Sequence, residues 1–137
     1  MKVEPYLFLE GRTEEALAFY TRALGAKVEI SMRYSDSPSP VPQQMLPPGG
    51  AGKIMHSSFT VGDSRIMASD GHVEGEANFT SFSLSITVET EAQARRMFDA
   101  LAAEGGQVRS PLQKTFFSPC FGMVQDKFSV GWMLLVP

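Results

Sequence analysis

The first half of the chain alternates between apolar patterns typical of strands and one typical of a helix. Val3 to Leu9 predicts a strand that is apolar on both faces, which indicates cover on both sides. Thr13 is placed to cap a helix through its hydroxyl group, and Gly25 to end that helix in the left-handed conformation. Val28 to Tyr34 then alternates as a second strand. The helix between them has an apolar stripe of Ala16, Leu17, Phe19, Tyr20, Ala23 and Leu24.

A proline- and glycine-rich segment, residues 35–53, interrupts this pattern. Its five prolines and three glycines predict a long irregular loop. Three interpretations stay open for it: a lid over a ligand cleft, an arm that reaches a second subunit, or a mobile insertion without a role. Two strands follow, Lys53–Val61 and Arg65–Ser69, joined by a hairpin at Gly62-Asp63-Ser64.

The second half repeats the same order of elements. Phe82 to Val88 alternates as a strand, and Thr90 opens a helix that Gly105-Gly106 ends. A short strand at Gln107–Arg109 comes next. The last two predicted strands are Thr115–Val124 and Ser129–Val136, with Asp126-Lys127 in the turn.

The two halves can be superposed at one offset, which matches Thr13 with Glu91, Tyr20 with Phe98 and Tyr6 with Leu84. We therefore predict an α+β fold of two βαβββ modules that form an open, curled mixed sheet. The modules are expected to span residues 1–75 and 76–137 of one domain, with a ligand cavity between the curled sheets.

Composition excludes several classes of function. The net charge is −3 and the 12 basic residues are scattered, which disfavours nucleic-acid binding. Cys120 is the only cysteine, so neither an intrachain disulfide nor a cysteine-based zinc cluster is expected. The N-terminus lacks the pattern of a signal peptide, and no stretch approaches the roughly 20 apolar residues of a membrane span. The expected location is cytoplasmic, without membrane binding.

Three segments resemble the vicinal oxygen chelate superfamily, which contains glyoxalases, extradiol dioxygenases and bleomycin- and fosfomycin-resistance proteins. They are PYLFLEGRTEEALAFYTRALGAKV, IMHSSFTVGDSRIMASD and PLQKTFFSPCFGMVQDKFSVGWML, and the chain is most similar to the PhnB-like branch. The resemblance implies strands that curl into an open barrel around a cleft, usually in a homodimer.

Metal-using members of that superfamily take one ligand from the first and one from the fourth strand of each module. Carried over by the repeat, these positions are Pro5, Met67, Ser83 and Met133. Divalent metals that act as Lewis acids require imidazole or carboxylate ligands, which none of these residues supplies. We therefore expect no metal and no other cofactor. The superfamily's lyase, isomerase and dioxygenase activities do not transfer, because they depend on that metal.

A methyltransferase activity, which the labels of some relatives suggest, also lacks support in the sequence. The chain has no G-x-G-x-x-G turn between a strand and a helix, and its predicted strand order is not that of a doubly wound sheet.

His56 is the candidate catalytic residue. It shares one strand face with Ser58 and Thr60, where it would act as a general base or anchor a substrate. The alternative is a histidine that is satisfied by a neighbouring strand or at a dimer edge. Asp70 and His72 would bind a cation only if the loop ASDGHVEGE held them together. Solvation is the expected state of both, and of Glu74 and Glu76.

Hydroxyl groups and soft apolar side chains complete the predicted ligand site. Ser83, Ser85 and Thr87 form a polar strand face that we expect to point into the cleft, and phenylalanines would provide aromatic walls. Cys120 is expected to be a buried, unreactive thiol. The full set of predicted ligand-binding residues is His56, Ser58, Met67, Ser69, Ser83, Ser85, Phe117 and Met133.

Three functions follow from these patterns. The first is metal-independent binding of a small molecule by a homodimer with no assigned reaction. The rival is an enzyme, resembling a lyase, isomerase or dioxygenase, that uses His56 with cleft hydroxyls or a non-standard metal site. The third is an interaction protein in which the cleft is a vestige.

Overall fold

The computed structural model describes all residues, 1–137, and divides the chain into two compact units, Met1–Ala77 and Asn78–Pro137. Each unit contains a βαβββ module, so the predicted α+β fold is confirmed. The elements of the first unit are β1 (Tyr6–Phe8), α1 (Thr13–Leu24), β2 (Lys27–Arg33), β3 (Ile54–Val61) and β4 (Ser64–Ser69). Those of the second are β5 (Ser83–Thr87), α2 (Glu91–Ala102), β6 (Gln107–Gln113), β7 (Cys120–Gln125) and β8 (Gly131–Val136).

Both units contain a four-stranded mixed sheet of the same topology. The strand orders are β1-β4-β3-β2 and β5-β8-β7-β6. In each sheet the first and last strands of the module pair in parallel, and the other neighbours are antiparallel. The parallel pairing requires a crossover, which the rest of the module provides.

One helix covers one face of each sheet. In the first unit the ring of Tyr20 in α1 stacks on Phe59 in β3 at 5.6 Å between ring centroids. In the second unit a methyl group at Gly122 would lie 2.8 Å from a ring carbon of Phe98 in α2, so glycine allows the helix to approach β7 closely. We call the opposite side of each sheet its helix-free face.

The phase of the predicted repeat is wrong in the first strand. Leu7 pairs with Ala68 on the α1 side of its sheet, so Tyr6 lies on the helix-free face. Leu84 pairs with the buried Trp132 on the α2 side. The predicted match of Tyr6 with Leu84 therefore joins opposite faces, because side chains alternate along a strand.

Several predicted strand boundaries also change. Val3 is 92% exposed and precedes β1, and β6 extends to Gln113 instead of ending at Arg109. Strand β7 starts at Cys120 because Thr115 and Ser118 form a turn through mutual hydrogen bonds. Strand β8 starts at Gly131 rather than at Ser129.

The irregular segment between β2 and β3 contains three short 3-10 turns, at Tyr34–Asp36, Gln43–Met45 and Gly50–Gly52. Arg33, at the end of β2, connects the end of this segment with α1. Its guanidinium donates to the carbonyl of Gly52 at 2.6 Å and to the carboxylate of Glu14 at 2.7 Å. The roles predicted for this segment, as a lid or an arm, stay predictions.

The predicted cap of the first helix is wrong. The hydroxyl oxygen of Thr13 is buried without a hydrogen-bond partner, and Arg12 at the N-cap position provides no side-chain cap. The backbone N–H of Thr13 instead donates to Asp70 Oδ1 at 2.9 Å, and that of Ile54 donates to Asp70 Oδ2 at 2.7 Å. Asp70 is 3% exposed, so its expected solvation is wrong as well.

Of the other predicted helix ends, Gly25 and Thr90 are confirmed, whereas α2 ends at Ala102, with Ala103 rather than Gly105-Gly106 at its C-cap. Gly25 adopts the left-handed conformation at φ 68°, and its N–H donates to the carbonyl of Tyr20. Thr90 is the N-cap of α2, and its hydroxyl oxygen accepts from the backbone N–H of Gln93 at 3.1 Å.

Candidate functional sites

The helix-free face of the first unit brings together three of the predicted ligand-binding residues. Ser58 and Met67 are direct cross-strand partners in β3 and β4, and His56 lies two positions before Ser58 on the same face. His56 faces Met32 of β2. The pattern of alternation therefore identified this face, but not its contacts.

His56 is held by a tyrosine. The Tyr6 hydroxyl oxygen and His56 Nδ1 are 3.0 Å apart, and the two rings stack with centroids 5.7 Å apart at an interplanar angle of 28°. The ring of Phe8 also packs against that of Tyr6, at 5.1 Å between centroids. The hydrogen bond occupies Nδ1 and fixes the ring, which leaves Nε2 as the nitrogen for an external partner. No carboxylate pairs with His56.

The two predicted serines of this unit already have partners. The Ser58 hydroxyl donates to Glu29 Oε1 at 3.3 Å, and Glu29 also accepts from Arg65 Nε at 2.7 Å. The hydrogen bond from Arg65 lowers the pKa of Glu29 below its usual value. Ser69 Oγ accepts from the backbone N–H of Gly71 at 3.3 Å. These hydroxyl groups stabilise the sheet and its following turn.

The second unit contains a pocket of roughly 420 Å³ where β5 and β8 begin and β7 ends. Aromatic, thioether and hydroxyl groups form most of its wall, together with one guanidinium. The lining residues are Phe79, Thr80, Ser81, Phe82, Ser83, Arg109, Met123, Val124, Gln125, Ser129, Gly131 and Trp132.

A buried carboxylate shapes the turn beside this pocket. Asp126 Oδ1 accepts from the backbone N–H groups of Phe128 and Val130, at 2.8 and 3.1 Å. Asp126 Oδ2 accepts from Trp132 Nε1 at 2.8 Å, which fixes the buried indole of this lining residue. Ser129 takes the left-handed conformation at φ 72° in this turn. The turn therefore positions both Ser129 and Trp132 at the pocket.

Gly131 allows β5 and β8 to approach each other closely at the pocket. Gly131 pairs with Ser83 across the parallel β5 and β8 ladder. A methyl group at Gly131 would lie 2.8 Å from both Ser83 Oγ and the carbonyl oxygen of Phe82, closer than carbon atoms approach oxygen in proteins. The close approach of the strands therefore depends on this glycine.

Arg109 is the only charged residue that lines the pocket. Its Nη2 donates to Gln125 Oε1, a neutral amide oxygen on the neighbouring strand. Sequence reasoning missed both residues, because a local pattern does not show which strand pairs with β6.

Only one predicted ligand-binding residue of the second unit lies at the pocket. Ser83 lines it, whereas Ser85 pairs with Met133 further along the same face. Phe117 is half exposed in the segment before β7, where its ring packs edge-on against Phe121 at 5.0 Å. Any contact of Ser85, Met133 or Phe117 with a ligand stays a prediction.

The residues predicted at metal positions do not fit a Lewis-acid metal. Met67, Ser83 and Met133 lie on helix-free faces, whereas the prediction of Pro5 is wrong in phase: it precedes β1, and Tyr6 is the cross-strand partner of Met67. Thioethers, a hydroxyl and proline do not form the imidazole or carboxylate donor set that such metals require. No three His, Cys, Asp or Glu side chains converge in the chain.

The remaining sequence candidates are placed as follows. His72, Glu74 and Glu76 are exposed, as predicted. Cys120 is buried at the start of β7, which confirms its predicted burial. None of the helices is long and apolar enough to span a membrane.

Comparison with known proteins gives consistent matches over the whole chain. The family model described as 3-demethylubiquinone-9 3-methyltransferase matches residues 1–135. Protein YjdN of Escherichia coli K12 is 35% identical, over 99% of this chain and 95% of its own. The crystal structure of PA1353 from Pseudomonas aeruginosa is 37% identical with a TM-score of 0.83, covering 99% of this chain and 97% of that one.

One further structure supports the family, and another shows the same fold at low identity. A putative 3-demethylubiquinone-9 3-methyltransferase, PhnB protein, from Bacillus cereus is 32% identical with a TM-score of 0.81, and the match covers all of both chains. The fosfomycin resistance protein FosX from Mesorhizobium loti shares the fold at 12% identity and a TM-score of 0.66, covering 100% of this chain and 91% of that one. The chain therefore belongs to the PhnB-like family, described as 3-demethylubiquinone-9 3-methyltransferase, and shares the fold of the fosfomycin resistance protein.

Proposed function

We propose that this PhnB-like protein binds a small molecule in the pocket of its second unit, without the metal of its superfamily. The observation that carries the proposal is the pocket itself. Its volume of roughly 420 Å³ lies in the range of ligand sites, and its wall combines aromatic side chains with a few polar groups. The proposal concerns binding and names no reaction. The predicted homodimer and the predicted cleft between the modules stay predictions.

The chemistry of the wall favours an aromatic or otherwise planar ligand. Phe79 and Phe82 offer rings, and Met123 adds a polarizable thioether. Hydroxyl groups of Thr80 and Ser129 can orient a polar substituent. This composition matches the usual ligand site, in which apolar area provides affinity and a few polar atoms fix orientation.

Trp132 provides a local signal for binding because it is the only tryptophan and lines the pocket. We would titrate the protein with 2-naphthoate and 2-naphthamide, measure Kd by calorimetry and follow Trp132 emission. At least one probe is expected to bind and to change that emission. Absence of heat and of any emission change for both probes would contradict the proposal.

A matched pair of variants tests the location. Ser83→Tyr places a ring in the pocket, whereas Ser85→Tyr places the same ring on the same strand face, two residues from the pocket-lining position. Tyrosine is well tolerated in strands, so both variants are expected to fold. Ser83→Tyr should weaken probe binding by about tenfold or more because it occupies the site, and Ser85→Tyr should not. Equal affinities in the two variants would place the probe elsewhere.

A second candidate function is proton abstraction by His56, favoured by the hydrogen bond that orients its ring against Tyr6. In this reaction Nε2 would take a proton from carbon next to a carbonyl group and return a solvent proton. Hydrogen–deuterium exchange of dihydroxyacetone in D₂O, followed by NMR, measures it. The candidate predicts exchange above the buffer rate in the wild type and loss of it in His56→Gln. Exchange at the buffer rate in the wild type would eliminate the candidate.

A further inference from the structure

We infer that the pocket of the second unit preferentially binds monoanions that carry an aromatic ring, and that Arg109 binds their anionic group. This inference rests on the proposed function and adds the chemical class of its ligand. It depends on three observations. Arg109 is the only charged residue in the pocket wall, its guanidinium forms no ion pair, and the other lining residues are uncharged.

The charge at the pocket wall is a single positive group. Arg109 is the one charged lining residue, and no carboxylate lines the pocket with it. Asp126 is adjacent in sequence to the lining residue Gln125, but its oxygens accept hydrogen bonds from the turn and from Trp132. A ligand in this pocket therefore meets one cation whose charge is not balanced within the wall.

A hydrogen bond positions the guanidinium of Arg109, but no carboxylate neutralises its charge. Its hydrogen bond goes to the amide oxygen of Gln125, and it forms no ion pair. Arg33 and Arg65 in the first unit differ, because each donates at 2.7 Å to a carboxylate, that of Glu14 or Glu29. A guanidinium has five N–H donors, so Arg109 retains donors for a ligand after its bond to Gln125.

The geometry of this donor favours a carboxylate. A guanidinium presents parallel N–H groups that bind both oxygens of a carboxylate, and such charge-assisted pairs are about twice as strong as neutral hydrogen bonds. A dianion would keep one unbalanced charge beside apolar walls, which costs free energy. One cation in a wall that contains Phe79 and Phe82 therefore fits a monoanionic carboxylate attached to an aromatic ring.

The test compares two probes that share a ring system and differ in charge, 2-naphthoate and 2-naphthamide. We expect wild-type protein to bind the acid about tenfold or more tightly than the amide at low salt, measured by calorimetry at neutral pH. Arg109→Gln should remove that preference, so that the two affinities become equal. Higher ionic strength should reduce the preference in the wild type, since the interaction is between charges.

Arg96→Gln is the matched control, because Arg96 is an exposed arginine of α2 that does not line the pocket. The same loss of one positive charge there should leave the preference intact. Gln125→Glu is a second variant that retains Arg109 but pairs it with a carboxylate. It should lower the ratio of acid affinity to amide affinity, which keeps the inference testable if Arg109→Gln does not fold.

The outcomes separate this inference from the proposed function. If acid and amide bind equally and Ser83→Tyr weakens both, the pocket binds ligands but the charge selection is overturned. If the preference persists in Arg109→Gln, another group reads the charge and the inference is overturned. If neither probe binds to the wild type, the proposed function and the inference both fail.

Discussion

The two units share one topology but secure their helices differently. In the second unit the cap is local, since Thr90 binds the N–H of Gln93 three residues later. In the first unit Asp70 caps α1 from 57 residues away and also binds the N–H of Ile54. The same strand order is thus compatible with a short-range cap and with a buried carboxylate that joins three elements.

Each unit buries one carboxylate at a different place. Asp70 lies after β4 and connects the helix start with the start of β3, whereas Asp126 lies in the turn between β7 and β8. Both accept hydrogen bonds from backbone N–H groups that would otherwise be unpaired in the interior. The first therefore supports long-range structure, and the second supports the wall of the pocket.

The helix-free faces differ in how their polar groups are used. In the first unit these groups bind each other, as in the pair of Tyr6 with His56 and the contact of Ser58 with Glu29. In the second unit Arg109 retains an unbalanced charge beside a pocket. Polar groups that bind each other stabilise the first unit. The unpaired charge of Arg109 in the second unit is instead available to a ligand.

The largest effect is expected from Asp70→Ala. It leaves the buried N–H groups of Thr13 and Ile54 without acceptors, which should lower the free energy of unfolding by about 3 kcal/mol. Urea denaturation measures it as a decrease in the midpoint. Asp63→Ala, at the exposed hairpin tip, is the matched control and should change the midpoint little. A normal midpoint for Asp70→Ala would refute the long-range cap.

Asp126→Asn tests the carboxylate of the second unit. An amide can accept through one atom only, so the three N–H donors of Phe128, Val130 and Trp132 cannot all be satisfied. We expect a loss of about 2 kcal/mol in the free energy of unfolding and a change in Trp132 emission. Asp99→Asn, an exposed carboxylate on α2, is the control. Unchanged emission would mean that Asp126 does not fix the indole.

A pair of threonine variants compares the two helix starts directly. Thr90→Ala should cost about 1 kcal/mol because it removes the cap of α2, and Thr90→Ser should restore it. Thr13→Val should be neutral or stabilising, since the Thr13 hydroxyl oxygen is buried without a partner. Both are measured as free energies of unfolding in urea. Destabilisation by Thr13→Val comparable to that of Thr90→Ala would contradict the difference between the caps.

The smallest effect concerns pH and the exposed pair of Glu29 with Arg65. The pair lowers the pKa of Glu29 in the folded protein below its usual 4.5, so its contribution to stability is present above that value. The contribution is lost as pH falls from the usual value through the lowered one. Arg65→Gln should therefore reduce the dependence of stability on pH in this acidic range. An identical acid profile for wild type and variant would contradict this coupling.

Sequence periodicity predicted the two modules, both helices and the local cap at Thr90, because these depend on neighbours within a few residues. It failed where residues that are far apart in the sequence contact each other in the fold. Asp70 lies in a run of polar residues that resembles an exposed loop, and only the fold brings it to the start of α1. The phase of β1 was wrong because its two faces are equally apolar, so alternation could not tell Tyr6 from Leu7.

The candidate site was predictable only in part, for the same reason. Ser83 and the face of His56 follow from alternation within a strand. Arg109 and Gln125 become neighbours through antiparallel pairing of β6 with β7, with Arg109 at the register shift between Val108 and Ser110, which local patterns do not reveal. The pairing partner of a strand is a property of the whole sheet.

Amide chemical-shift mapping with 2-naphthoate tests the central claim most directly. The account predicts that the perturbed backbone amides cluster at residues 79–83 and 123–132, with a response of the Trp132 indole N–H. Ser83→Tyr should remove these perturbations at the same probe concentration. Perturbations centred on Tyr6, His56 and Met67, with the second unit unchanged, would contradict the account and place ligand binding on the first unit.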